Sequence, residues 1–391
     1  MTRFFAVFLA IALLAPAQFV GAASSMEVSG WVPWWQETMG LKSATKQLSK
    51  LDSVYAFAFE VESDGSLIDK AGLDERNWEN FFRSAKRADV EVIPSIMWSD
   101  GDSIHRVLSD EEKRADHIDE IVEMVEDGDF DGVNIDYESK LAETNPYFSM
   151  FLEELKEELD NKLLTCAIEA RTPPESLYRT VPANLEYAND YDEIAKHCDI
   201  VELMTYDQQR ADLDMNDLRK GEPYMPVADT AWVEKVLQLA LEDIPADKIR
   251  LGVPTYGRQW TVTVAPEWYR DYTSKGAINL PDAKELAKEN NVEEGRNAAG
   301  ETSFTYFDEK SPFKILDALP VPDGTRAGFE AAAKALLFAN FTKMDVPVEM
   351  VWYSDAAAVS EKVDLIEKYA LNGIAIFKID GEEDQGIWKL F

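Results

Sequence analysis

Short runs of alternating apolar and polar residues punctuate the chain, and between them apolar residues recur every three or four positions. The short runs predict strands at 26–32, 54–59, 90–96, 133–138, 163–168, 200–207, 249–257 and 373–379. The intervening stretches predict helices. Ser109-Asp110-Glu111-Glu112 reads as a capping box ahead of Ile118, Ile121, Val122 and Val125, a second helix is expected over about 146–159, and Asp229 is placed to cap a third. Eight strands alternating with helices predict an α/β chain folded as a (β/α)8 TIM barrel, with a doubly wound sheet as the alternative. The stretch from about 261 to 345 is too long for a simple connection. It holds a strand-like 303–307 and a helix-like 329–338, so a small α+β insertion is expected between the seventh and eighth strands, closed by 348–353.

The fourth predicted strand carries chemistry. In Phe130-Asp131-Gly132-Val133-Asn134-Ile135-Asp136-Tyr137-Glu138, the apolar Val133, Ile135 and Tyr137 alternate with Asn134, Asp136 and Glu138. Residues two apart on a strand share a face at a spacing of roughly 6.5 Å, so an amide and two carboxylates stand in file. An exposed strand would give the same alternation. A strand that follows a helix in a parallel sheet is instead covered on its outer face, and its inward polar residues then need a reason. Glu202, Met204 and Tyr206 share the predicted inward face of the sixth strand.

Composition narrows the function. The chain has 391 residues, 74 acidic against 39 basic, for a net charge of −35. Such a surface repels nucleic acid and anionic lipid. Residues 1–23 read as a secretory signal: Arg3, an apolar run from Phe4 to Ala15, then small residues at 21–23. The expected mature chain is therefore 24–391, secreted, monomeric and free of the membrane. His105, His117 and His197 are scattered without ligand spacing, so a dedicated metal site is not expected. Cys166 and Cys198 lie at or beside predicted strands without framework spacing and read as two buried thiols, although export would permit a disulfide.

Asp-Gly-x-x-x-Asp-x-Glu at 131–138 resembles the signature of the family 18 glycoside hydrolases, with Asn134 where the usual form has a further Asp. That variant is similar to the branch of spore-cortex-lytic N-acetylglucosaminidases. Met204-Thr205-Tyr206-Asp207 resembles the family's sixth-strand motif, and Gly252 to Arg258 its seventh. The tail from Trp352 through Lys362 to Ile374 again resembles the cortex-lytic branch. Phe377 stands where the family usually has a Trp under the reacting sugar.

The resemblance implies a retaining hydrolase acting on β-1,4-linked N-acetylglucosamine-containing polysaccharide, peptidoglycan ahead of chitin, with the substrate's own acetamido group as nucleophile and no metal or organic cofactor. Glu138 would be the general acid, Asp136 its charged companion, and Tyr206 a hydrogen-bond partner of the substrate's acetamido group. Asn134 would support Asp136, and Asp207, Met204, Tyr256 and Phe377 would contact sugar. Trp34, Trp98, Trp35 and Trp352 are further candidates for stacking on sugar rings. A sugar-binding lectin without turnover is the competing expectation, and a structural barrel with no glycan site is a third.

Overall fold

The computed structural model describes residues 26–219 and 221–391, so the signal-like segment 1–23 lies outside the described residues. Eight parallel strands form a ring: Glu27–Pro33, Ser53–Val61, Glu91–Trp98, Gly132–Tyr137, Leu163–Glu169, Ile200–Met204, Ile249–Pro254 and Gly373–Phe377. The first pairs with both the eighth (Glu27↔Gly373) and the second (Ser29↔Ser53). That closure makes the sheet a barrel and excludes the doubly wound alternative.

The alternation along the fourth strand is the two-sidedness of the barrel wall. Val133, Ile135 and Tyr137 face outward and join Ile118, Ile121 and Val125 of helix Glu111–Asp127 and Phe148 and Phe151 of helix Asn145–Glu158 in the main core. Five of the acidic residues serve helix starts. Asp110, Asp190, Asp212, Asp229 and Asp355 each accept a backbone N–H at a helix N-cap. The cap of helix Glu111–Asp127 is thus Asp110, one residue after Ser109.

Two glycines are set by close approach. A Cβ on Gly132 would lie 2.2 Å from the Leu163 carbonyl oxygen, and one on Gly252 2.3 Å from that of Leu203 and 3.1 Å from the Tyr206 ring. Asp131 stitches the base of the fourth strand to the third by accepting the Val92 N–H at 2.8 Å.

The two cysteines correct the expectation of free thiols: Cys166 and Cys198 form a disulfide. Cys166 faces outward on the fifth strand, and Cys198 ends helix Tyr191–His197, which leads into the neighbouring sixth strand. Parallel pairing of those strands (Cys166↔Val201) brings the two Cα atoms to 6.1 Å, within bridging range.

Between the seventh and eighth strands a five-stranded antiparallel sheet rises beside the barrel. Its spatial order is Trp268–Ile278, Gly257–Ala265, Val346–Tyr353, Thr302–Tyr306 and Gly295–Arg296. Helix Glu330–Thr342 covers one face through Ala331, Ala335 and Ala339 against Val262, Val264 and Val348. Helix Leu280–Glu289 covers the other against Phe304, Tyr306, Val351 and Tyr353. The sheet reaches beyond 261–345 at both ends because its two central strands continue straight out of the barrel's seventh strand and back toward the helix before its eighth.

Candidate active site

A cavity of about 400 Å³ opens at the carboxyl ends of the barrel strands. Asp136 and Glu138 line it together with Met204, Tyr206, Asp207 and Phe377. This volume suits a small ligand held by an apolar wall and a few polar groups. Parallel pairing aims Asp136 inward beside Met97, its register partner on the third strand. Glu138 follows directly, its backbone N–H held by the Trp98 carbonyl at 2.8 Å.

The two carboxyls are poor acids here. Burial pushes Asp136 well above the usual carboxylate range, the charge of Glu138 adds to that, and Lys140 opposes it. Burial also raises Glu138, with Glu169 next in effect and Lys140 again opposing. Like charges this close titrate as a pair, so together they hold a proton at a pH where an exposed carboxyl has lost it. Asp136 Oδ1 is buried and has no hydrogen-bond partner among the described residues. A bare buried oxygen of this kind is costly in an isolated protein and awaits a donor.

Tyr206 stacks on Phe377, with ring centroids 5.5 Å apart and planes at 17°. Burial is the main cause that keeps its hydroxyl well above the usual phenol range, with Tyr256 and the carboxyls of Asp136 and Glu138 adding to it, so it is a neutral donor. Phe377 is fixed from behind. Thr255 donates its N–H to the Phe377 carbonyl at 2.9 Å, and its hydroxyl accepts from Lys378 N at 2.8 Å.

Several residues expected to support the acid pair or to touch ligand do something else. Asn134 is fully buried below the cavity and makes no bond to Asp136. Its Oδ1 accepts from Ser95 at 2.5 Å and from the Trp31 indole at 3.2 Å, and its Nδ2 donates to Thr165 at 2.8 Å and Glu202 at 3.1 Å. The reason is geometric: they stand two positions apart along the strand, and Asn134 bonds sideways within its own layer. Trp98 pairs in register with Tyr137, which turns it outward into the core, where its indole N–H donates to Ser103 at 2.9 Å. Trp34 packs edge-on to Trp35, with Lys70 Nζ 5.3 Å from its ring, and does not line the cavity. Tyr256 stands behind the wall and holds Asp207 through its hydroxyl. Trp352 is buried against Tyr224 and Phe329.

Other lining residues were absent from the sequence reading. Trp31 and Phe57 complete the aromatic floor around Phe377, at centroid distances of 5.9 and 6.1 Å. Trp31 shares strand parity with Ser29 and Pro33, so alternation alone could have turned it inward. Trp232 reaches the cavity from the first turn of helix Thr230–Ala240, and Glu169 from the end of the fifth strand. No sequence spacing near the motif marks either.

Glu202 belongs to a buried ladder beneath the site. It accepts from the Tyr55 hydroxyl and from Asn134, and Arg250 bonds Tyr55 at 2.9 Å and ion-pairs with Glu27. Burial raises Glu202 to about 7 despite Arg250. The ladder fixes the Asn134 amide and so the edge of Trp31, whose face lines the cavity. Among the described residues no group of three or more His, Cys, Asp or Glu could hold a metal ion, and no helix is long and apolar enough to cross a membrane.

Comparison with known proteins bears on the family and the fold. Residues 28–382 match the family model described as glycosyl hydrolases family 18. The uncharacterized glycosylase YvbX of Bacillus subtilis is 22% identical over 355 residues, 90% of this chain and 87% of that protein. The spore cortex-lytic enzyme SleL of Bacillus cereus superposes with a TM-score of 0.66 at 22% identity, covering 95% of this chain and 74% of that one. The C-terminal domain of a putative chitinase from Desulfitobacterium hafniense gives 0.70 at 21% identity, covering 94% and 98%. With a family match that spans the whole barrel and its insertion, the chain belongs to the family 18 glycosyl hydrolases.

Proposed function

We propose that this chain is a secreted, retaining hydrolase of β-1,4-linked N-acetylglucosamine-containing glycans that uses the substrate's own acetamido group as nucleophile. The observation that carries the reading is the bare, buried Oδ1 of Asp136 beside Glu138 in a sugar-sized cavity. An enzymic nucleophile would need a second carboxylate across the sugar from the acid. Of the four carboxyls that line the cavity, Asp207 is held by Arg258 and Glu169 meets Lys140, while Asp136 shares one strand end with Glu138 and lacks the donor that an acetamido N–H would supply.

In the first step the acetamido oxygen attacks the anomeric carbon, the bond to the bridging oxygen breaks, and Glu138 delivers its proton to that oxygen. The resulting oxazolinium carries a positive charge and an N–H that Asp136 accepts, while Tyr206 donates to the acetamido oxygen until it reacts. Water then adds to the anomeric carbon, Glu138 takes the water's proton, and the ring opens with configuration retained. Burial and the nearness of the two carboxyls both favour a protonated form of the pair, which the first step needs.

Peptidoglycan is favoured over chitin as substrate. Support comes from Asn134, from the tail motifs and from the similarity to a protein described as cortex-lytic. Export is supported by residues 1–23. The test is release of reducing ends from purified peptidoglycan and from N-acetylglucosamine oligomers. Release from both, faster from peptidoglycan, is expected. Binding to either without release would overturn the catalytic reading in favour of a lectin.

A further inference from the structure

Glu138 is gripped through its two backbone neighbours. On one side the Lys140 ammonium donates to the Tyr137 carbonyl. On the other, Glu169 Oε1 accepts the Ser139 N–H at 2.6 Å, and Ser139 itself takes a left-handed φ of 56°. Lys140 and Glu169 then meet each other at 3.6 Å. The Lys140 side chain is 0% exposed and its ammonium lies 4.6 Å from the centre of the Phe148 ring. Burying a lysine so completely is unfavourable unless its charge is used.

Charge balance says what it is used for. The groups that face the Asp136–Glu138 pair are Glu169 from the fifth strand, Glu202, Tyr206 and Asp207 from the sixth, and Lys140 from the segment just after Glu138. Asp207 is occupied by Arg258 and Glu202 by the Tyr55–Arg250 ladder. Lys140 is thus the cation left to the pair, and Glu169 is the third carboxylate that competes for it.

We propose that Lys140 and Glu169 are positioning residues that bracket Glu138 from both sides and set the charge balance in which the proton moves between Asp136 and Glu138. The inference rests on Glu138 being the acid of the proposed function. Lys140 favours the ionised pair, and Glu169 favours the protonated one. Neither touches the bond that breaks.

The test uses the full chain with Lys140→Met, which keeps the stem and drops the charge, and Glu169→Gln, which keeps an acceptor for Ser139. The pH profile of kcat/KM on an N-acetylglucosamine oligomer should move up by about one pH unit in Lys140→Met and down by a similar amount in Glu169→Gln, with the double variant returning toward the parent. A merely structural pair would lower the rate without these opposed shifts. The infrared carboxyl band of the pair, assigned by its loss in Asp136→Asn, should titrate with the same opposed shifts. Should the parent cleave no glycan, the functional reading falls while the infrared titration still decides this one. Should Lys140→Met fail to fold, Glu169→Gln alone decides. Unshifted titration, or a shift of the same sign in both variants, overturns the proposal.

Discussion

Arg258 closes on both carboxylate oxygens of Asp207, at 2.8 and 2.6 Å. Tyr256 adds its hydroxyl to the same group at 2.9 Å, and Asp207 sits in the left-handed region at φ 55°. This clamp fixes the rim of the cavity next to Glu138 and neutralises a charge that would otherwise raise Glu138 further. Replacing Arg258 by Met should cost about 1–2 kcal/mol of stability, as loss of a partly exposed charged pair does. It should also move the basic limb of the activity profile to higher pH. Urea denaturation and a pH–rate profile check both halves.

Glu138→Gln should lower turnover by about 10²–10⁴-fold, the usual worth of a positioned acid and base. Because burial disfavours the charged form of the parent side chain, a neutral amide fits the same site, and the melting temperature should not fall. Binding of an uncleaved oligomer, measured by calorimetry, should persist. Retained turnover would remove the acid assignment.

Two buried groups make stability depend on pH in opposite directions. Burial lowers His117 from the usual 6.5 to about 4; its ring nitrogens meet the Gly65 carbonyl and the Tyr137 hydroxyl. The unfolded chain protonates first, so this contribution is full above 6.5 and is lost as pH falls toward 4. Glu202 is raised to about 7, so the folded chain keeps a proton that the unfolded chain releases. Its contribution is present below the ordinary carboxylate value and is lost as pH rises through about 7. Each slope is about 1.4 kcal/mol per pH unit within its window. Relative to the parent, His117→Gln should therefore gain stability as pH falls from 6.5 to 4, and Glu202→Gln as pH rises from 4.5 to 7. Denaturation midpoints at several pH values check the signs. Curves parallel to the parent would contradict both.

The Cys166–Cys198 bridge spans 32 residues of chain. A loop of that length is worth about 3–4 kcal/mol through the unfolded state. The double Cys→Ala variant should lose roughly that much stability. Its activity at low temperature should be unchanged, because the bridge lies on the outer side of the wall. Equilibrium unfolding of the variant and the parent checks it.

Hydrophobic alternation made the barrel legible. Each of the eight expected strands overlaps an observed one, because burial on both faces leaves little freedom in where a strand can lie. What the pattern left open was mostly a matter of direction. Trp98 ends its strand, yet parity turns it outward with Tyr137, and Asn134 shares the inward face of Asp136 but lies mid-strand, a layer below the cavity. The facing of Trp98 follows from the register of its strand with the fourth, which alternation within one strand does not give. Trp232 and Glu169 reach the cavity only because separate elements converge there, and the disulfide exists because a helix end and a neighbouring strand meet. Contacts of that kind belong to the tertiary structure.

The account stands most directly on the substrate's acetamido group. Hydrolysis of an N-acetylglucosamine tetramer and of its fully de-N-acetylated counterpart should be followed by proton NMR of the anomeric centre. The account predicts that the acetylated sugar is cleaved with the β configuration appearing first, and that the deacetylated one is inert. Cleavage of the deacetylated sugar at a comparable rate, or first appearance of the α anomer, would contradict it.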